Sequence, residues 1–258
     1  LMQTNPPYSR RQFLRQTAAA ACLAGIAPQM VPASVLGADG QTAPSNRITV
    51  GFIGTGDHGM GWNLPPYLRH PSARVVAACD VDHIHMLKAQ ETVNERYGNE
   101  DCFGTKDFRE VLARKDIDVV MISTPDHWHT LISLLAIQAG KDVQCEKPTL
   151  TIHEGKVLTA AVRKHKKVFQ TSTEDRAVPE YHRMAELVRN GRIGKLERIE
   201  VILPKQPDGP GDPTPQPVPA GLDYEMWLGP APFAPYTPGR VHFNFRWIWD
   251  YSGGIICD

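Results

Sequence analysis

Apolar residues occur along the chain in short continuous runs that alternate with longer amphipathic stretches. The short runs predict strands at 48–53, 73–79, 117–123, 141–145 and 168–172, because such runs are typical of strands buried on both faces. The longer stretches predict helices at 57–67, 81–97, 107–113, 128–139, 152–165 and 180–190, and we expect Pro65 and Pro66 to break the first of them. Parallel strands need crossover connections that cover both faces of a sheet. The pattern therefore predicts an α/β fold with a doubly wound parallel sheet.

This alternation ends near residue 203. Eleven of the 22 prolines fall between Pro204 and Pro238, and such a density excludes a helix or a central strand. We expect a long extended excursion there, with Trp227, Phe233 and Tyr236 packed against the body of the protein. An aromatic segment, 241–251, follows it.

The first residues have the pattern of an export signal. Arg10 and Arg11 precede an uncharged, alanine-rich apolar stretch at 17–27, which is an n-region followed by an h-region. The pair resembles the bacterial twin-arginine signal. We therefore expect residues 1–38 to be a signal peptide with its spacer, and the protein to be periplasmic or secreted.

Composition narrows the class of function. The 258 residues carry 28 Lys and Arg against 28 Asp and Glu, so no net charge attracts nucleic acid or an anionic membrane surface. No apolar run approaches the roughly 20 residues that span a bilayer. The five cysteines are scattered, without the spacing of a metal site or a disulfide framework, and we expect no metal. We therefore expect the protein to act on a small molecule.

A glycine-rich string follows the first predicted strand. It reads Gly54-Thr55-Gly56-Asp57-His58-Gly59, and Asp80 ends the next strand. This is the GxGxxG pattern of dinucleotide-binding turns, in which the glycines allow a tight turn, close approach of a pyrophosphate and close helix packing. A carboxylate at position 80 can accept both ribose hydroxyls and would repel a 2′-phosphate, which favours NAD over NADP. The alternative is a glycine-rich turn with an unrelated aspartate.

Two further motifs end strands at the same edge of the sheet. The first comprises Thr124, Pro125, Asp126, His127, Trp128 and His129, and the second Glu146, Lys147 and Pro148. Ligands of open α/β sheets bind at that edge. Lysine there could donate to a substrate hydroxyl and favour its alkoxide, although a solvated lysine is the alternative. The two histidines do not share a helix face, so zinc is not expected, and capping or packing roles stay open.

These motifs, with Asn-Gly-Arg-Ile-Gly-Lys at 190–195, resemble the Gfo/Idh/MocA oxidoreductases from about residue 47 onward. The resemblance implies a Rossmann domain at 46–173 and, at 174–258, the beginning of an α+β open-sheet domain for substrate and oligomerisation. Lys147 matches the active-site lysine of the family, and Asp258 matches a substrate-binding aspartate. The family's general acid/base histidine would follow four residues later. We therefore expect this chain to be truncated and catalytically incomplete.

The resemblance implies an NAD(P)-dependent enzyme that oxidises a secondary hydroxyl of a sugar or polyol. Residues 54–59, 124–129 and 146–147 with Asp80 would hold the cofactor, and the full-length protein would form a homo-oligomer. Two alternatives stay open. One is an exported, redox-neutral enzyme with tightly held NAD, such as a sugar oxidoreductase or an NAD-using glycosidase. The other is a nucleotide-binding or sugar-binding protein without activity.

Overall fold

The computed structural model describes Gly37 and residues 42–203, 211–254 and 256–257. The chain divides into two units, Leu1–Asn46 and Arg47–Asp258. Within the first unit, the described residues include a 3₁₀ turn at Pro44–Asn46. Apart from Gly37, the predicted signal peptide and spacer at 1–38 lie outside the described residues.

Six parallel strands form the sheet of the second unit. They are β1 (Ile48–Ile53), β2 (Ala73–Cys79), β3 (Phe103–Thr105), β4 (Val119–Ile122), β5 (Asp142–Glu146) and β6 (Phe169–Ser172). Their spatial order is β3-β2-β1-β4-β5-β6, and every pair is parallel. This is the strand order of a Rossmann fold, with its switch point between β1 and β4. The predicted doubly wound sheet is confirmed.

Helices cover both faces of this sheet. They are α1 (Leu64–Arg69), α2 (His83–Tyr97), α3 (Phe108–Ala113), α4 (Asp126–Gln138) and α5 (Ile152–His165). Two further helices, α6 (Pro179–Arg189) and α7 (Tyr224–Leu228), follow the last strand. Shorter turns occur at Gly59–Asn63, Glu174–Ala177 and His242–Trp247.

Two local features differ from the pattern-based prediction. Strand β3 was not predicted, because its three residues are too few to form an apolar run. Pro65 and Pro66 do not break a helix but stand in the first turn of α1. That position tolerates proline, since the N–H groups of the first turn have no partner within the helix.

Alternating side chains of the strands enter two separate cores. Val120 and Ile122 pack with α3, α4 and α5 on one face. Met121 and Phe52 pack with α1 and α2 on the other face. This division follows from the two-residue repeat of a strand, and it explains why β4 must be apolar at every position.

A third cluster contains aromatic residues from the proline-rich region. Trp227, Tyr236 and Tyr251 are buried together, and Val81 at the end of β2 packs against them. The N–H of Asp223 donates to the Val81 carbonyl at 3.0 Å. The excursion therefore folds onto the ligand edge of the sheet as far as it is described, whereas Phe233 is 85% exposed rather than packed.

Helix α6 carries an exposed apolar stripe. Tyr181, Met184 and Leu187 lie along it, and Met184 is 58% exposed. Residues 173–203 and 211–254 contain no strand in the described structure, so the predicted open-sheet domain stays a prediction. Among the described residues, no helix has both the length and the apolar character needed to cross a membrane.

Candidate active site

A cavity of about 420 Å³ opens at the carboxyl ends of the strands. Its walls include Gly54 after β1, Asp80 after β2, Thr124 after β4, and Lys147 after β5. These residues are distant in sequence but meet because parallel strands end at the same edge. The cavity therefore lies at the switch point between β1 and β4, where open α/β sheets bind ligands.

The glycine turn after β1 has the shape needed to receive phosphates. Gly54 has φ +89°, and a Cβ added there would lie 2.6 Å from the Ser123 backbone. A Cβ at Gly59 would lie 2.5 Å from the Gly54 carbonyl oxygen. At Gly56 the nearest atom would be 3.9 Å away, on His85, which leaves the side facing the cavity open. Glycine is therefore present at the positions where a side chain would distort the turn or obstruct a dinucleotide pyrophosphate.

Asp80 is held rigidly at the end of β2. Its Oδ2 accepts from the Thr55 N–H at 2.7 Å and its Oδ1 from the Asp82 N–H at 2.9 Å. Burial raises the pKa of Asp80, and the two N–H donors oppose that rise. The carboxylate is fixed before any ligand arrives, as a ribose-binding group requires. Thr55 itself is 1% exposed and contributes its backbone to this arrangement.

Lys147 lies between two carboxylates. Its Nζ is 3.7 Å from Oε2 of Glu146 and 3.9 Å from Oε1 of Glu174. Oε1 of Glu146 is 3.2 Å from Nε2 of His58 and accepts from Asn63 Nδ2 at 2.9 Å. The peptide bond between Lys147 and Pro148 is cis.

Glu146 is the buried member of this group. Burial by itself would raise the pKa of Glu146, but hydrogen bonds from His58 and Asn63 and the charge of Lys147 hold it below its usual value. An ionised carboxylate 3.7 Å from the Lys147 ammonium attracts it and holds it at the edge of the cavity. Glu174 and Asn63 were not predicted as site residues, because Asn63 lies in the turn before α1 and Glu174, although it closely follows β6, belongs to no motif identified in the sequence.

The motif at 124–129 divides between the cavity and the interior. Thr124, Pro125, Trp128 and His129 line the cavity. The ring nitrogens of His129 lie 2.7 Å from the Pro148 and Thr124 carbonyl oxygens, so the ring links the two motif loops. A neutral ring can donate to only one of these oxygens at a time.

His127 does not line the cavity, although the sequence analysis placed it among the cofactor-binding residues. It lies outside the cavity, under Trp227 and Tyr251, and its Nε2 is 3.0 Å from the Trp227 carbonyl oxygen. Burial lowers the pKa of His127 to about 4. We therefore remove His127 from the cofactor-binding set and assign it a packing role, which the sequence had left open.

The far wall of the cavity comes from the end of the chain. His242, Phe243, Phe245 and Arg246 line it, and the Arg246 guanidinium lies 4.7 and 4.8 Å from the two phenylalanine ring centroids. The aromatic density of 241–251 was visible in the sequence, but its position at the cavity, where the His242 ring meets His85 of α2, depends on long-range packing. Asp258 lies outside the described residues.

Comparison with known proteins agrees with this architecture. The family model described as "Oxidoreductase family, NAD-binding Rossmann fold" matches residues 48–173. Its companion, "Oxidoreductase family, C-terminal alpha/beta domain", matches residues 208–258. Together these two models cover more than half of the chain. The chain belongs to the Gfo/Idh/MocA oxidoreductase family.

This Gfo/Idh/MocA chain is similar in sequence to a curated bacterial glycosyl hydrolase. "Glycosyl hydrolase family 109 protein 2" of Shewanella sp. (strain ANA-3) is 31% identical over 156 residues, which cover 55% of this chain and 34% of the relative. The chain thus spans about a third of the length of that curated relative.

Two solved structures are similar to it. Apo scyllo-inositol dehydrogenase from Lactobacillus casei is 27% identical with a TM-score of 0.51, covering 58% of this chain and 43% of the other. KijD10, a 3-ketoreductase from Actinomadura kijaniata in complex with TDP-benzene and NADP, is 25% identical with a TM-score of 0.51, covering 58% and 46%.

Proposed function

We propose that the protein is an NAD-dependent oxidoreductase that transfers hydride between a secondary hydroxyl of a sugar or polyol and a nicotinamide. One observation carries this proposal. The glycine turn, the fixed carboxylate of Asp80 and the ammonium of Lys147 line one cavity at the switch point of the sheet. The dehydrogenase and ketoreductase named above support the reaction class.

Each group has a distinct task in this proposal. Gly54 and Gly56 receive the pyrophosphate, Asp80 accepts from the ribose hydroxyls, and Thr124 and Pro125 form the wall between them and Lys147. The nicotinamide, when bound, supplies the acceptor or donor of hydride. Lys147 donates a hydrogen bond to the substrate oxygen and stabilises negative charge that develops there. In the oxidation direction the hydroxyl proton would pass to the general acid/base histidine that the family resemblance implies, and in reduction it would return from it.

The choice of NAD rests on Asp80. Its two oxygens already accept from backbone N–H groups, and its remaining lone pairs can accept from ribose hydroxyls. A 2′-phosphate would meet this carboxylate at close range and be repelled. KijD10 was crystallised with NADP, so the two dinucleotides must be compared directly.

The experiment has two stages. Isothermal titration with NAD and NADP measures binding by this chain, and we expect NAD to bind more tightly. A panel of sugars and polyols is then tested for NADH formation with the natural gene product. Lys147→Met should keep NAD affinity within about two-fold and lower turnover by about 10² or more, the usual range for an electrostatic donor. Absence of dinucleotide binding would contradict the proposal.

A second candidate is a redox-neutral enzyme that retains its NAD. The glycosyl hydrolase name of the Shewanella relative favours it, as does the twin-arginine pattern at Arg10 and Arg11. A protein exported in the folded state would carry its cofactor to a compartment where we expect no supply of free NAD.

Purification separates the two candidates. Retention predicts that NAD copurifies with the natural protein and is released on denaturation. A protein that purifies without nucleotide and turns over only with added NAD would exclude the redox-neutral candidate and leave the dehydrogenase.

A further inference from the structure

We propose that Asp82, His85 and His242 form a binding site for a divalent transition-metal ion of the zinc class. The three side chains come from separate parts of the chain. Asp82 is the N-cap of α2, His85 lies in the first turn of α2, and His242 begins the 3₁₀ turn on the far wall of the cavity. Their ligand atoms lie within 4.8 Å of one another.

The distances describe a site that is nearly assembled. Oδ2 of Asp82 is 3.8 Å from Nε2 of His242, which is too long for a hydrogen bond. Tetrahedral zinc with ligands near 2.1 Å would place its donor atoms about 3.4 Å apart. Small side-chain rotations would close this difference, and the His242 side chain, which is 48% exposed, has space on its solvent side for such a rotation.

Asp82 already presents one oxygen to the site. Its Oδ1 accepts from the Ile84 N–H at 2.9 Å as the helix cap, and this bond orients the carboxylate so that Oδ2 faces His242. The imidazole rings of His85 and His242 meet edge to face, with centroids 5.1 Å apart. Two imidazoles and one carboxylate are a frequent donor set for zinc.

A second carboxylate stands behind the histidine of α2. Oδ2 of Asp80 is 3.9 Å from Nδ1 of His85. At this distance the contact is electrostatic and not a hydrogen bond, and the negative charge of Asp80 favours a positive ion held by the ring. Three protein ligands also leave a fourth coordination position open, toward the cavity that all three residues line.

A second cluster of possible metal ligands differs from this one because a lysine lies beside it. His58, Glu146 and Glu174 also bring their ligand atoms together, but the Lys147 ammonium lies within 3.9 Å of both carboxylates. The positive charge that a metal would supply is already present there. Among the described ion pairs, Asp82 is paired with His242 alone.

A metal at this site would join two parts of the protein. Asp82 and His85 belong to the segment matched by the NAD-binding model, and His242 belongs to the segment matched by the C-terminal model. The ion would therefore hold the 242–247 turn against the loop between β2 and α2.

The test uses the metal alone, without nucleotide. Untagged, chelator-treated protein is titrated with Zn²⁺ by calorimetry and with Co²⁺ by visible absorption at neutral pH. We expect one high-affinity site, and His85→Ala and His242→Ala should each weaken it by about ten-fold or more, at least the loss seen for outer partners of metal ligands. His153→Ala is the matched control, because His153 is exposed on α5, and it should bind as the wild type does.

Two results would overturn the proposal. One is no saturable Zn²⁺ or Co²⁺ binding by the wild type, and the other is equal affinity in the wild type and both variants. If an alanine variant is not folded by circular dichroism, His85→Asn or His242→Asn replaces it under the same criteria. Since no nucleotide is present, failure here leaves the proposed oxidoreductase function untouched.

Discussion

The environment of each polar side chain decides its role within this family's strand-end motifs. His127 and His129 are two residues apart, yet one is sealed under aromatic rings and the other links two loops at the cavity. Asp80 and Glu146 are both carboxylates at strand ends. Burial raises the pKa of Asp80, whereas hydrogen bonds and a neighbouring ammonium keep the pKa of Glu146 low.

His127 should make stability depend on pH. Burial lowers its pKa to about 4, from an ordinary value of 6.5, so between these values the unfolded chain binds a proton that the folded chain excludes. Stability is therefore highest above the unfolded value and falls as the pH falls toward 4, by up to about 3 kcal/mol. Urea unfolding at pH 7 and pH 4.5 should show a smaller difference for His127→Gln than for the wild type. An equal difference would contradict the neutral, buried state of this ring.

Asp80→Asn should weaken NAD binding by about ten-fold or more, because hydrogen bonds to a charged group contribute about 1.5–3 kcal/mol. NADP should lose less affinity, since the repulsion of its phosphate is removed. Calorimetric titration measures both affinities. Asp101→Asn is the control, because Asp101 is exposed in a loop before β3, and equal NAD affinity in the Asp80 and Asp101 variants would refute the ribose assignment.

At the scale of elements, two helices that the sequence predicts differ in pattern and in burial. Helix α4 is apolar on nearly every side and packs against the sheet and α5, while the apolar stripe of α6 is exposed in the described structure. Helix amphipathicity predicts that a stripe is covered. It does not say what covers it.

This difference predicts unequal costs of truncation. Ile132→Ala in α4 removes a side chain that is 2% exposed and should lower the free energy of unfolding by about 2–5 kcal/mol. Met184→Ala in α6 should change it by about 0.5 kcal/mol or less. Chemical denaturation of both variants measures this contrast, and similar losses would mean that the α6 stripe is covered in solution.

Helix α5 begins with a capping box that stabilises the segment after Lys147. The Thr151 side chain accepts from the Glu154 N–H at 3.2 Å, and Glu154 accepts from the Thr151 N–H at 2.8 Å. Thr151→Ala should cost about 1 kcal/mol of unfolding free energy. Thr159→Ala, which loses only a bond from its hydroxyl to the Gly155 carbonyl, is the control. Equal stabilities of the two variants would show that the cap does not contribute.

For the molecule as a whole, the cavity couples ligand binding to stability. Its walls come from the sheet edge and from the 242–247 turn, so a bound dinucleotide would contact both. A ligand that binds only the folded state at 100 times its dissociation constant adds about 2.7 kcal/mol. NAD should therefore raise the unfolding temperature of the wild type, and Asp80→Asn should abolish most of this increase at the same NAD concentration. Thermal scans with and without NAD measure it.

Much of the Rossmann sheet follows from local pattern. The predicted strands at 48–53 and 73–79 agree with β1 and β2 at every residue, because continuous apolar runs between glycine and aspartate leave few alternatives. Strand β3 was missed because Phe-Gly-Thr carries no periodicity and is paired only through its neighbour β2. The glycine turn and Lys147 were predictable for the same reason as the strands, since both stand at strand ends.

The chain by itself determined the alternation of strands and helices, and with it the edge at which the motifs meet, because these depend on residues close together in sequence. Tertiary structure alone decided that His127 lies outside the cavity, that Asn63 contacts Glu146, and that His242 comes to face Asp82 across 160 residues. Contacts of that separation depend on how whole elements pack. The spacing of residues within one motif therefore does not predict these contacts.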